Sequence, residues 1–145
     1  MAKKKAAGRL SIDQMRKLIN KKAGQEVSVD LGDPNNPTTV KQWIPTGARW
    51  LDSIICRGQV AGIPVGKVTE IAGLEASGKS YMAAQIAGNA QKMGIDVVYF
   101  DSESSLDFSF LEKAGCDPSK ILYVQATSVE FVLETIEELL SSTDT

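Results

Sequence analysis

Gly73-Leu-Glu-Ala-Ser-Gly78-Lys79-Ser80 is a full G-x-x-x-x-G-K-S match, and its reading decides the fold. It follows Val68-Thr-Glu-Ile71, read as a short strand, and opens a helical pattern from Lys79 to Met93 that Gly94 stops. A strand before and a helix after is the context such a motif needs to be a phosphate-binding loop. Gly73 and Gly78 permit the torsions that bend a loop around a phosphate, and successive N–H groups with the positive end of the helix dipole would attract the anion. Lys79 would reach the β- and γ-phosphates as a point charge, and the Ser80 hydroxyl would offer Mg²⁺ the hard oxygen it prefers. The candidate nucleotide contacts are Gly73, Leu74, Glu75, Ala76, Ser77, Gly78, Lys79, Ser80 and Tyr81, with Ser80 also the metal contact.

Downstream, the pattern continues as α/β. Asp96-Val-Val-Tyr-Phe100 reads as a second strand, Phe108 to Ala114 as a helix ending at Gly115, and Ile121-Leu-Tyr-Val124 as a third strand. Ser128 then caps a helix with Val129, Val132, Leu133, Ile136, Leu139 and Leu140 on one face and Glu130, Glu134, Glu137 and Glu138 on the other. Strands alternating with helices of this length imply crossover units and a largely parallel sheet flanked by helices. Ligands bind beyond the carboxyl ends of such strands, where Asp101, Glu103 and Asp107 cluster. Glu103 there could polarise an attacking water as a general base; the same acids also read as ordinary helix caps and loop residues.

Upstream, Ser11-Ile-Asp-Gln14 has the capping-box pattern, and Ile12, Met15, Leu18 and Ile19 recur at helical spacing until Gly24. Asp30-Leu-Gly-Asp-Pro-Asn-Asn-Pro37 is dense in turn formers. Residues 1–43 are therefore read as a basic arm, a short amphipathic helix and a linker, and residues 44–145 as the α/β part.

The net charge of −2 conceals an asymmetry: Lys3, Lys4, Lys5, Arg9, Arg16, Lys17, Lys21 and Lys22 are half of the 16 basic residues, opposed only by Asp13. Such an arm fits a nucleic-acid contact, a self-assembly contact or a solvated tail, and charge alone does not choose. No apolar run reaches the 18 or so residues of a membrane span, and the basic N-terminus leads into no apolar stretch of the secretory kind. Cys56 and Cys116 lack metal spacing and read as small buried thiols of a reducing, cytoplasmic compartment. With no histidine in the chain, histidine-based triads and histidine-ligated zinc are excluded.

Ile44-Pro-Thr-Gly-Ala-Arg-Trp-Leu-Asp52, Gly62-Ile-Pro-Val-Gly66-Lys-Val-Thr-Glu-Ile71, the phosphate loop and Tyr99-Phe-Asp-Ser-Glu103 together resemble, in order and spacing, the bacterial RecA recombinases. Within that family the likeness is greatest to the UvsX recombinases of T4-like phages, particularly those of cyanobacteria, and it covers about residues 44 to 140. The resemblance implies a RecA-like P-loop core that binds ATP and Mg²⁺ and forms helical filaments of like protomers on single-stranded DNA. It implies that Glu103 activates water for hydrolysis with Lys79 on the phosphates, and that Asp107 and Phe110 hold adenine by hydrogen bonding and stacking. Tyrosine is usual at the Phe110 position, so the ring is kept and the hydroxyl lost; Leu74 replaces a common loop proline. The N-terminal helix stands, by position only, where the family packs on the adjacent protomer.

In the family the next strand carries a metal-holding aspartate and later loops contact DNA. The chain stops after a crossover helix, so the pattern reads as the N-terminal half of the core, expected to bind nucleotide weakly and hydrolyse it poorly alone. An interrupted gene, a fragment and one half of a split protein remain open. Two other functions stay in view: a RecA-core ATPase without strand exchange, of helicase or loader type, and a non-catalytic module that joins a full-length recombinase's filament.

Overall fold

In the computed structural model, residues 10–33, 36, 38–58, 61–104 and 106–142 are described. The basic run Lys3 to Arg9, and Pro34, Asn35 and Pro37 of the linker, lie outside the described residues. The chain forms two compact units, residues 1–40 and 41–145.

In the first unit, helix α1 (Ile12–Ala23) begins at a complete capping box: the Gln14 amide donates to Ser11 Oγ (3.3 Å) and the Ser11 amide donates to Gln14 Oε1 (2.9 Å). It ends at Gly24, whose φ of 72° is the left-handed conformation of a helix C-cap. The returning chain docks on Asn20, whose Oδ1 accepts from the Val27 and Ser28 amides and the Ser28 hydroxyl. The apolar stripe of Ile12, Met15, Leu18 and Ile19 is exposed.

The second unit starts with a two-residue antiparallel ladder, β1 (Trp43–Ile44) with β2 (Ile63–Pro64), and helix α2 (Arg49–Ile55) between them. Neither ladder nor helix was expected from pattern, because two-residue strands carry no periodicity. The turn into α2 is organised by buried Asp52, which accepts from the Thr46 amide (2.9 Å) and hydroxyl (2.7 Å). Then follow α3 (Lys79–Lys92), β3 (Val97–Asp101), α4 (Phe108–Lys113), one 3-10 turn (Pro118–Lys120), β4 (Ile121–Gln125) and α5 (Val129–Ser142). Strands β3 and β4 pair in parallel from Val97 opposite Ile121 to Asp101 opposite Gln125.

Three expectations need correction. The described residues hold two two-stranded sheets, one parallel and one antiparallel, instead of one largely parallel sheet. Val68–Ile71 belongs to neither, because a strand exists only where another backbone pairs with it, and Val68 is fully exposed. Helix α5 is capped at Ser128 as expected, and Leu133, Leu139 and Leu140 on its apolar face are exposed. Cys116 is buried as expected, whereas Cys56 is only half-buried; both are free thiols.

The core is small. Ala84 of α3 packs against Leu111, Ala114 and Cys116, and Ala87, Leu106, Phe110 and Ile121 surround them. Small residues on α3 let the helix approach backbone directly: a Cβ at Gly88 would collide with the Gly115 carbonyl and the Cys116 amide. Gln91 locks the same junction, its Oε1 accepting from the Asp117 amide (2.8 Å) and its Nε2 donating to the Asp117 (2.9 Å) and Lys120 (3.3 Å) carbonyls. Asn89 ties α3 to the start of the unit by donating to the Pro45 carbonyl (2.9 Å). No helix among the described residues is long and apolar enough to cross a membrane.

Gly88→Ala tests this junction because two effects oppose. Alanine adds about 1 kcal/mol of helix propensity, but overpacking costs about 1–3 kcal/mol, and the opposing atoms are backbone that cannot rotate away. Net destabilisation is expected as a lower denaturant midpoint; an unchanged or higher midpoint would show that the helices separate freely.

Candidate functional site

From Val65 to Leu74 the chain lies outside both ladders; it then turns over Glu75–Gly78 and enters α3. Gly78 is the N-cap at φ 89°, and having no side chain it offers no capping oxygen to the first-turn amides. Ala76 also has a positive φ, 56°, which costs a residue with a Cβ. At Gly73 a Cβ would stand 2.9 Å from Ser77 Oγ, so the Ser77 hydroxyl would have to turn aside to admit one. Lys79 folds back over this turn, its Nζ donating to the carbonyls of Leu74 (2.7 Å) and Gly73 (3.0 Å). Orphan helix-start donors, a left-handed glycine and a lysine held by neutral carbonyls are groups with which an anion could pair.

A cavity of about 290 Å³ lies beside the first turn of α3. Ser80 lines it from α3, Tyr99, Phe100 and Asp101 from β3, Ser102, Glu103 and Leu106 from the following loop, and Phe110 from α4. Ser80, Glu103 and Phe110, far apart in sequence, thus share one cavity. Tyr81 stands beside them: its ring meets that of Phe110 edge-to-face, with centroids 6.0 Å apart at 76°. Asp107 lines a neighbouring cavity of about 210 Å³ with Phe108, Leu111, Pro118, Ile121 and Tyr123, and Leu106 borders both.

The three carboxylates have different surroundings. Asp107 is the N-cap of α4, accepting from the Ser109 hydroxyl (2.7 Å) and amide (3.1 Å), and these bonds hold its pKa below the ordinary carboxylate value. Asp101 is buried, and its oxygens gather the loop: Oδ1 accepts from the Glu103 (3.0 Å) and Ser104 (3.1 Å) amides, Oδ2 from the Leu106 amide (3.2 Å) and the Tyr123 hydroxyl (3.1 Å). Burial alone would push its pKa up, but the hydrogen bonds outweigh burial and the net direction is down. Glu103 is exposed, and its carboxylate has no hydrogen-bond or ion-pair partner among the described residues. Sequence reasoning placed Asp101 in the acidic cluster but missed its part in holding the loop; the short D-x-E-S spacing, suited to side-chain-to-backbone turns, was the available signal.

The site fits a nucleotide with Mg²⁺. The loop supplies donors and positive charge for phosphates, and the Ser80 hydroxyl and nearby carboxylates are hard oxygen ligands. No group of three or more His, Cys, Asp or Glu among the described residues could cage a metal by itself. Mg²⁺ is ordinarily held by one or two protein oxygens with phosphates and water, so this sparse donor set suits it.

Asp101 makes acid stability testable. Its folded pKa lies below the unfolded value, so its contribution is present above the ordinary carboxylate range and is lost as pH falls through the folded pKa. Asp101→Asn should lower stability at neutral pH by about 1–3 kcal/mol, because buried donors lose a charged acceptor, and should flatten the acid limb. Urea denaturation across pH checks this; an unaltered acid limb would remove Asp101 from that role.

Residues 10–145 match the family model described as the RecA N-terminal domain. The protein RecA of Bifidobacterium breve is 34% identical over 140 residues, covering 97% of this chain and 33% of that protein. RecA of Thermus aquaticus is 36% identical over 134 residues (92% of this chain, 38% of that protein). RecA of Aquifex aeolicus is 41% identical over 99 residues (68% and 28%). The chain thus spans about a third of the length of these relatives.

Proposed function

This chain belongs to the RecA N-terminal domain family, and on that premise we propose that it is the ATP-binding portion of a DNA-dependent ATPase and recombinase. In this reading it works in the cytoplasm with single-stranded DNA and further copies of itself in a helical filament, serving homologous recombination and repair. The observation that carries the reading is the single cavity in which Ser80 at the mouth of the phosphate loop meets Glu103 and Phe110. The exposed stripe of Ile12, Met15 and Ile19 on α1 supports a protomer contact. Affinity within the family to the UvsX recombinases of phages rests on the order and spacing of the motifs quoted above.

Each residue has a separable task. The loop from Gly73 to Gly78 donates backbone N–H groups to phosphate oxygens. Lys79 exchanges its carbonyl partners for phosphate, which suits an ammonium held by neutral acceptors. Ser80 presents its hydroxyl to Mg²⁺, which when bound neutralises charge on the phosphates. Glu103, its carboxylate unengaged among the described residues, orients a water and accepts its proton. Phe110, braced by Tyr81, offers its ring to adenine, and Asp107 accepts from the base with the lone pairs that Ser109 leaves unused.

Titration with Mg-ATP tests these roles. Lys79→Ala should lose about tenfold or more in affinity, the effect of removing one charge-assisted contact; undiminished binding would sink the phosphate-loop assignment. Glu103→Gln should bind ATP much as the unaltered chain does and slow hydrolysis in a completed protein, whereas abolished binding would make Glu103 structural. Phe110→Ala should cost roughly 1–3 kcal/mol of ATP affinity, by analogy with base–aromatic stacking. An equal loss for inorganic triphosphate would argue against stacking on the base.

A further inference from the structure

Glu103 has an unusual form of support. With no partner for its carboxylate among the described residues, its direction is set by its backbone, which lies in the irregular segment after β3. That segment contains Ser104 at φ 53°, a left-handed conformation that a residue with a Cβ keeps only when neighbours hold it there. Asp101 supplies much of the hold through the amides of Glu103, Ser104 and Leu106. Strand β4 supplies the remainder: Tyr123 donates its hydroxyl to Asp101 Oδ2 (3.1 Å), and Gln125 Nε2 donates to Ser104 Oγ (2.6 Å).

A carboxylate has about four acceptor positions, and at Asp101 three go to the loop and one to the neighbouring strand. The Tyr123 bond therefore fixes which way the carboxylate plane faces, and the carboxylate in turn fixes the three amides. We propose that Tyr123, acting through Asp101, is a positioning residue for Glu103, so that strand β4 sets the direction of the candidate water-activating carboxylate without touching it. The catalytic half of this inference rests on the ATPase reading; the mechanical half stands on the hydrogen bonds alone.

Tyr123→Phe removes one O–H and keeps the ring. In the full chain, amide hydrogen exchange should accelerate about tenfold at Glu103, Ser104 and Leu106, the effect of losing one bond to a charged group, with no change along α3. In the DNA-stimulated ATP turnover of a protein completed with the rest of the core, kcat should fall at constant KM, and Tyr123→Phe should add nothing to Glu103→Gln. Unaltered exchange at the three amides overturns the proposal, and so does an equal rise throughout the chain, which marks simple loss of stability. A raised KM with kcat preserved overturns it also. The exchange comparison requires no turnover, so it is decided separately from the nucleotide reading: ATP affinity indifferent to Lys79→Ala would sink that reading and leave the hold on the Glu103 backbone intact.

Discussion

The close approach of α3 to the backbone at Gly115 and Cys116 is the constraint on which the site depends. Ser80 sits at the start of α3 and Phe110 on α4, so the distance between them follows from how near the two helices pass. Gly88 and Ala84 keep α3 thin along that line, and Gln91 seals its far end onto the turn that leads into β4. With only four residues in the buried cluster among the described residues, apolar burial contributes little to geometry beyond this junction. Directional hydrogen bonds from Gln91, Asn89 and Asp101 take over much of the work that a larger core would do by packing.

The distribution of polar and apolar groups is unusual for a chain with 43% hydrophobic residues. Buried polar side chains such as Thr46, Asp52 and Asp101 are all satisfied, and no buried side-chain nitrogen or oxygen among the described residues lacks a partner. Large apolar residues, by contrast, stand exposed on α1, α5 and the segment that precedes α3. Order in the second unit is thus concentrated where β3, α4, β4 and α3 meet, around the candidate site.

Those parts of the molecule that depend on local chemistry were legible in the sequence. The capping box of α1, the start of α3 at Lys79, the cap at Ser128 and strands β3 and β4 depend on residues close in sequence, and each appears within a residue or two of where the pattern put it. Val68–Ile71 shows the limit: β-branched composition states a preference, but a ladder needs a partner strand, which no local pattern contains. Asp101 shows another, since its acceptors could equally have faced solvent or a metal, and only the fold reveals that they hold the loop. Asp107 satisfies the local reading as a helix cap, while lining a different cavity from the residues with which it was grouped.

Parallel pairing from Val97–Ile121 to Asp101–Gln125 also sets a limit on insertions and deletions. Side chains alternate between faces along a strand, so a slip of one residue would carry Tyr123 to the opposite face. The spacing from α4 through Pro118–Lys120 to β4 is what holds that register, with Gln91 gripping both ends of the short turn. Adding or removing one residue there would act well upstream, on the loop bearing Glu103, without altering any residue of the cavity that contains it. Loop length is ordinarily among the most freely varied features of a surface; at this connection it is part of the site's specification.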